Sequence, residues 1–154
     1  MANSGAILGD LFTLPEVFAP QLDTACGDNV SIRARKDNWP DTPMAHGYAD
    51  DSLDGLKEYF GTVDGVVDFI DDAEILVTHL APLSRGMFER LPNLKLVAVS
   101  RGGPVNVDMA AAADHGIVVV NTPGRNSTAV AEFTIGAILA ETRKSRVGHE
   151  ELRA

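Results

Sequence analysis

The residues Leu94-Lys95-Leu96-Val97-Ala98-Val99-Ser100-Arg101-Gly102-Gly103-Pro104-Val105-Asn106-Val107-Asp108 read as a strand, a glycine-bearing loop and a helix start in direct succession. The run Leu94–Val99 is apolar except for one lysine. Near-continuous apolarity, rather than strict alternation, marks a strand covered on both faces of a parallel sheet. Asp108 suits the N-cap of a helix through Ala110 to Ala113, and Gly116 stands where a glycine ends such a helix. Outward on either side, Ile117-Val118-Val119-Val120 and Ile75-Leu76-Val77-Thr78 repeat the β-branched pattern. Between the first two strands, Ser84 is placed to cap a helix through Met87, Phe88 and Leu91 that Pro92-Asn93 stops. Strands alternating with helices at roughly 20-residue spacing are βαβ units, hence an α/β parallel sheet.

The first half repeats the pattern more faintly. Ala6-Ile7-Leu8 is a candidate strand, Pro15 to Ala25 a helix ending at Gly27, and Ser31-Ile32-Arg33-Ala34-Arg35 an edge-like strand. Asn38-Trp39-Pro40-Asp41-Thr42-Pro43 is a loop, and both Ser52–Phe60 and Val63–Ile70 predict helical turns. At the other end, Thr128 to Lys144 predicts one helix, with Asn126 or Ser127 as N-cap and basic residues in its last turns. Val130, Phe133, Thr134, Ala137, Ile138 and Glu141 form one stripe, while Ala131, Ile135 and Leu139 make other faces apolar as well. A helix apolar almost all round must be buried on more than one side. It either inserts in this core or packs on a partner subunit or a further domain; the second is the expectation.

The 154 residues are 45% apolar and 23% charged, ordinary for a single globular domain. Thirteen Lys+Arg against 22 Asp+Glu give a net charge of −9, which repels phosphate backbones and anionic lipid, so neither nucleic acid nor membrane is an expected partner. The single cysteine, Cys26, excludes an internal disulfide framework and a cysteine zinc cluster. No basic leader followed by an apolar run opens the chain, and no run of 18 apolar residues occurs, so a cytoplasmic location is expected.

Ligands of parallel sheets bind at the carboxyl ends of strands. There Gly102 and Gly103 leave backbone N–H groups open to an anion, with Arg101 beside them as a charged clamp. The plain structural account of the same residues is a tight turn needing φ > 0, capped by Asn106 or Asp108. The next loop, Asn121-Thr122-Pro123-Gly124-Arg125-Asn126-Ser127-Thr128, again ends at a helix N-terminus, so Asn126 and Thr128 are either ligand contacts or parts of a capped turn. The sequons Asn29-Val30-Ser31 and Asn126-Ser127-Thr128 are chance matches without a secretory signal. Of His46, His79, His115 and His149, only His79 ends a strand on the cleft side, as a base or a hydrogen-bonded structural residue. Glu132, one turn into the last helix, is explained by the helix dipole alone. No G-x-G-x-x-G, no phosphate-binding G-x-x-x-x-G-K-[ST], no HExxH metal pairing and no nucleophile motif occurs, so no catalytic residue and no metal site is assigned within these residues.

Three ordered motifs between Ala73 and Lys144 carry a resemblance: Leu94 through Asp108, then Gly116-Ile117-Val118-Val119-Val120-Asn121-Thr122-Pro123-Gly124-Arg125-Asn126, then Ala129-Val130-Ala131-Glu132. They resemble the D-isomer-specific 2-hydroxyacid dehydrogenases, most of all the D-3-phosphoglycerate dehydrogenase group. The resemblance implies a flavodoxin-like substrate-binding domain with helices on both sheet faces, spanning residues 1–125. Residues 126–154 would then be an inter-domain and dimerisation helix crossing to a Rossmann domain outside this chain. That other domain would hold NAD and the family's Arg, Glu and His, so these 154 residues are expected to be inactive alone.

By the same resemblance Gly102 and Gly103 bind the substrate carboxylate, and Thr78-His79-Leu80 lies on the substrate side. Asn126 lies near the substrate, and Gly102 and Thr128 lie toward the cofactor. The expected partners are a small 2-hydroxy or 2-oxo acid and a second copy of the chain. Two positions depart from the family pattern. Val105-Asn106 replaces the usual Asp-Asn pair, and Arg101 stands where a small residue is common, which suggests a second anion clamp. A non-enzymatic acid-binding or dimerisation module of the same fold is the alternative. Flavodoxin itself would need a Ser/Thr-rich phosphate loop where Gly9-Asp10-Leu11-Phe12 stands, and a receiver domain would need an acidic cluster around Asp10.

Overall fold

The apolar runs are strands in the computed structural model, which describes residues 3–38, 53 and 55–153. The chain divides into two compact units, Met1–Pro123 and Gly124–Ala154. In the first, β1 (Asn3–Gly9), α1 (Pro15–Cys26), β2 (Val30–Lys36), α2 (Val63–Ile70), β3 (Ile75–Thr78), α3 (Arg85–Glu89), β4 (Leu96–Val99), α4 (Met109–Asp114) and β5 (Val118–Asn121) follow in order. The sheet order is β2-β1-β3-β4-β5 with every pair parallel, the flavodoxin-like order. Strand order reverses between β1 and β3, and the carboxyl ends beside such a switch point are where parallel sheets of this kind bind ligands. Most of the loop at Asn38–Pro43, and His46, lie outside the described residues.

Side-chain alternation sends each strand to two faces. Ala6, Leu8, Leu76, Val97 and Val99 join one core with residues of α2, α3 and α4, among them Val66, Ile70, Met87, Phe88 and Ala111. Ile7 and Val77, also buried, point the other way and line a small void with Leu22 and Cys26 of α1. Helices therefore cover both faces. The basic residues of the edge strand β2 reach over to α2: Arg33 Nε donates to the Phe69 carbonyl at 2.9 Å, and Arg35 stacks 4.5 Å from the Phe69 ring centre. Cations beside the last carbonyls of a helix complement its dipole.

Local signals place the helix ends. Asp108 accepts from the Ala111 amide at 2.9 Å, and Gly116, at φ 69°, closes α4. Ser84 occupies the N-cap position of α3 but makes no capping bond with its side chain.

Three expectations are corrected. β5 is not covered on both faces: Val118 and Val120 are exposed and only Val119 packs against the core, because β5 borders the sheet while α1 packs on β1 and β2. The helical turns expected over Ser52–Phe60 are absent from the described residues of that stretch. Gly55 at φ 74° and Glu58 at φ 51° are left-handed there, which no helix tolerates. The helix expected over Thr128–Lys144 is α5 (Ser127–Thr142), which ends two residues early, and a further helix, α6 (Ser145–Arg153), follows Lys144 at φ 53°. Arg143 and Lys144 therefore follow α5 instead of forming its last turns. Asn126 is the N-cap residue of α5 without a side-chain bond, and no residue of α5 is buried.

Candidate functional site

The carboxyl ends of β1 and β3 carry a buried polar pair. Asp10 directly follows β1 and His79 directly follows β3. Gly9 makes the first turn possible: a Cβ there would sit 2.6 Å from the Thr13 carbonyl oxygen and from Pro15 Cδ. With that room, the chain folds back so that the Asp10 amide donates to the Thr13 carbonyl at 3.0 Å. Asp10 Oδ1 accepts from the amides of Phe12 at 2.7 Å and Thr13 at 2.8 Å, and Oδ2 meets His79 Nδ1 at 2.6 Å. The two side chains are 2% and 10% exposed. Burial alone raises the Asp10 pKa, but the bonds from His79, Thr13 and Phe12 and the field of the imidazole outweigh it, leaving the carboxyl below its usual value.

Two further groups hold the turn after β3. The Thr78 hydroxyl donates to the Leu8 carbonyl at 3.1 Å and accepts from the Ala81 amide at 3.2 Å. Asn106 Nδ2 donates to the carbonyls of Ala81 at 2.7 Å and His79 at 3.4 Å. Asn106 Oδ1 is buried without a partner among the described residues.

The loop after β4 lies beside this pair. The Ser100 amide donates to the Thr78 carbonyl at 2.8 Å, tying the ends of β3 and β4 together. Gly102 and Gly103 are exposed, and neither is among the glycines with positive φ. A turn needing φ > 0 is therefore not what these glycines serve. At Gly103 nothing lies within 4 Å of a Cβ position, so its backbone faces open space. A cavity of about 660 Å³ lies between this loop, from Gly103 to Met109, and Gly55, Leu56 and Lys57.

Arg101 is not a loose clamp. Its Nη1 donates to the Glu58 carbonyl at 2.8 Å, its Nη2 pairs with the Glu58 carboxylate, and its side chain is 14% exposed. The structure thus brings His79, Arg101, Gly102 and Gly103 to neighbouring strand ends. Asn126 and Thr128, both exposed, belong to the second unit. Asp10 and Glu58 were missed by sequence reasoning. Asp10 carried a usable signal, since a polar residue directly after a parallel strand lies where ligands bind; Glu58 carried none.

Residues 54–151 match the D-isomer specific 2-hydroxyacid dehydrogenase, catalytic domain. The chain is 42% identical over 78 residues to a putative 2-hydroxyacid dehydrogenase of Bacillus subtilis, covering 51% of this chain and 23% of that protein. It is 36% identical over 83 residues to the D-3-phosphoglycerate dehydrogenase of Methanocaldococcus jannaschii, covering 53% of this chain and 16% of that one. The chain thus spans under a quarter of the length of these curated relatives. The NAD+-bound 3-phosphoglycerate dehydrogenase of Entamoeba histolytica shares the fold, with a TM-score of 0.62 at 17% identity over 91% of this chain and 39% of its own. Motif order, strand topology and a match across more than half of its residues together place this chain in the D-isomer specific 2-hydroxyacid dehydrogenase family, within the catalytic domain.

Proposed function

We propose that residues 1–125 are the substrate-binding part of an NAD-dependent dehydrogenase acting on a small D-2-hydroxy acid, 3-phosphoglycerate-like in kind. The observation that carries this reading is the Gly102-Gly103 pair, exposed at the end of β4 and free of any positive-φ requirement. Their N–H groups receive the substrate carboxylate, and the Thr78-His79-Leu80 turn supplies the neighbouring wall. Arg101, held by Glu58, stiffens the loop that carries the glycines. Asn126 belongs to the substrate side, and Gly102 and Thr128 to the cofactor side. An exposed glycine backbone leaves room for a flat ring to approach, which fits a nicotinamide at Gly102. NAD, when bound, accepts or gives the hydride; the role of this chain is to hold and orient the acid. We further propose that the enzyme is cytoplasmic.

Titrating the chain with D-glycerate while following backbone amides by NMR tests the site. The amides of Gly102, Gly103 and the Thr78–Leu80 turn are expected to move. Gly103→Val is expected to weaken binding about tenfold, and to leave unfolding within about 0.5 kcal/mol, since its Cβ meets nothing. Equal affinity in both proteins overturns the assignment.

Residues 126–154 are proposed as the inter-domain and dimerisation segment. Val130, Phe133, Ile135, Ile138 and Leu139 of α5 are all more than half exposed, Phe133 at 78%, an apolar surface of the kind that marks an interface. This favours a homodimer, and equally the second reading of a dimerisation module that binds acids without catalysis. Light scattering is expected to give twice the 16.4 kDa chain mass. A monomer at high concentration refutes self-association, while glycerate binding without any NADH turnover in the complete native protein favours the module.

A further inference from the structure

Five polar residues are buried among the described ones: Asp10, Thr13, Thr78, His79 and Asn106. All five sit at or beside the ends of β1, β3 and β4, where the strand order reverses. Burying polar groups costs desolvation that only well-formed hydrogen bonds offset, so one such concentration in a sheet of otherwise apolar interior marks a place held for geometry. Asp10 is its centre. Its Oδ1 is held by two backbone amides while its Oδ2 takes His79 Nδ1 at 2.6 Å. An ionised carboxylate offers only lone pairs, so the shared proton sits on Nδ1. The ring is thereby fixed through the residue at the middle of the Thr78–Leu80 turn. Asn106 grips that turn through the carbonyls of His79 and Ala81.

We propose that Asp10 is a positioning residue of the substrate site: by holding His79 in its Nδ1–H form it sets the Thr78–Leu80 backbone that receives an oxygen of the small hydroxy or oxo acid. This rests on the substrate side assigned to that turn above. The dyad, on the substrate-binding part of the molecule, acts on substrate through the loop and not through proton transfer.

The test uses the full 154-residue chain. Long-range proton–nitrogen NMR of labelled histidine reads which ring nitrogen of His79 carries hydrogen, and the unmodified protein is expected to show it on Nδ1. Asp10→Asn preserves shape and can still accept the Phe12 and Thr13 amides. Its NH2 group donates to Nδ1, so the ring hydrogen moves to Nε2. That variant is expected to bind D-glycerate about tenfold more weakly, and Asp10→Glu to restore the Nδ1–H signature and part of the affinity.

A His79 protonated only on Nε2 in the unmodified chain overturns the proposal without need of any variant. Equal glycerate affinity in Asp10→Asn and the unmodified chain overturns the positioning role alone. Glycerate that moves no amide of the turn in the unmodified chain overturns the substrate reading, and the positioning role with it, while the Nδ1–H signature still reports the dyad.

Discussion

Phe88→Ala is expected to remove about 3–5 kcal/mol of stability. Phe88 is 1% exposed and, among the described residues, the largest of the fully buried side chains. It sits in α3, only five residues long, with its ring 6.0 Å from that of His115 at the end of α4. A helix so short has no stability of its own; packing holds it in place. Truncating the ring removes its transfer free energy and leaves a cavity between α3 and α4 that stiff, close-packed neighbours fill only in part. Against a total stability of about 5–15 kcal/mol, this is about a fifth or more of what keeps a domain folded. Urea unfolding followed by circular dichroism is expected to show the midpoint falling sharply, with Phe88→Leu in between. A loss below about 1.5 kcal/mol would mean that α3 collapses onto the gap, and that the core is looser than its burial implies.

Gly9→Ala is the second large effect, and its sign is the informative part. Exchanging glycine for alanine ordinarily stabilises by about 0.4–1 kcal/mol where the backbone permits it, through the unfolded chain. Gly9 has no positive φ to forbid the change. Its Cβ, however, would lie 2.6 Å from the Thr13 oxygen and 2.8 Å from the Pro15 nitrogen, main-chain atoms that cannot swing aside. The turn must open, at a cost of about 1–3 kcal/mol. Opening it also pulls Asp10 from His79, so glycerate contact with the Thr78–Leu80 turn is expected to fall together with stability. Gly136→Ala in α5, with nothing within 4 Å, is the control that should gain stability. A stabilised Gly9→Ala protein would show that the Asp10–Thr13 turn has slack.

What the sequence disclosed and what it hid divide along distance in the chain. Ile75–Thr78 is a strand over the residues its β-branched run marks, and Asp108 and Gly116 bound α4, because capping and strand formation are decided by neighbours. That the sheet is parallel followed from strand spacing, and with it the side of the sheet where ligands lie. The stretch around Leu53, Leu56 and Tyr59 has helical spacing and buries those three residues, yet its described residues form no helix. Glu58 is held left-handed by an arginine 43 residues later, and no local pattern reports that. Arg101 looked like a free cation for the same reason. Asp10 and His79 are 69 residues apart and meet only because β1 and β3 are neighbours. The all-round apolarity of α5 was legible, whereas the break at Lys144 was not, since no glycine or proline marks it.

The bare margin at β5 has a consequence for solution behaviour. A border strand with outward valines, Val118 at 58% exposed and Val120 at 46%, is a template on which a stray extended chain can dock and begin a fibril-like stack. Two features blunt it. The strand is only four residues long, and Pro123, two residues past its end, has no N–H with which to lengthen a ladder. The margin is long enough to complete the sheet and too short to seed another.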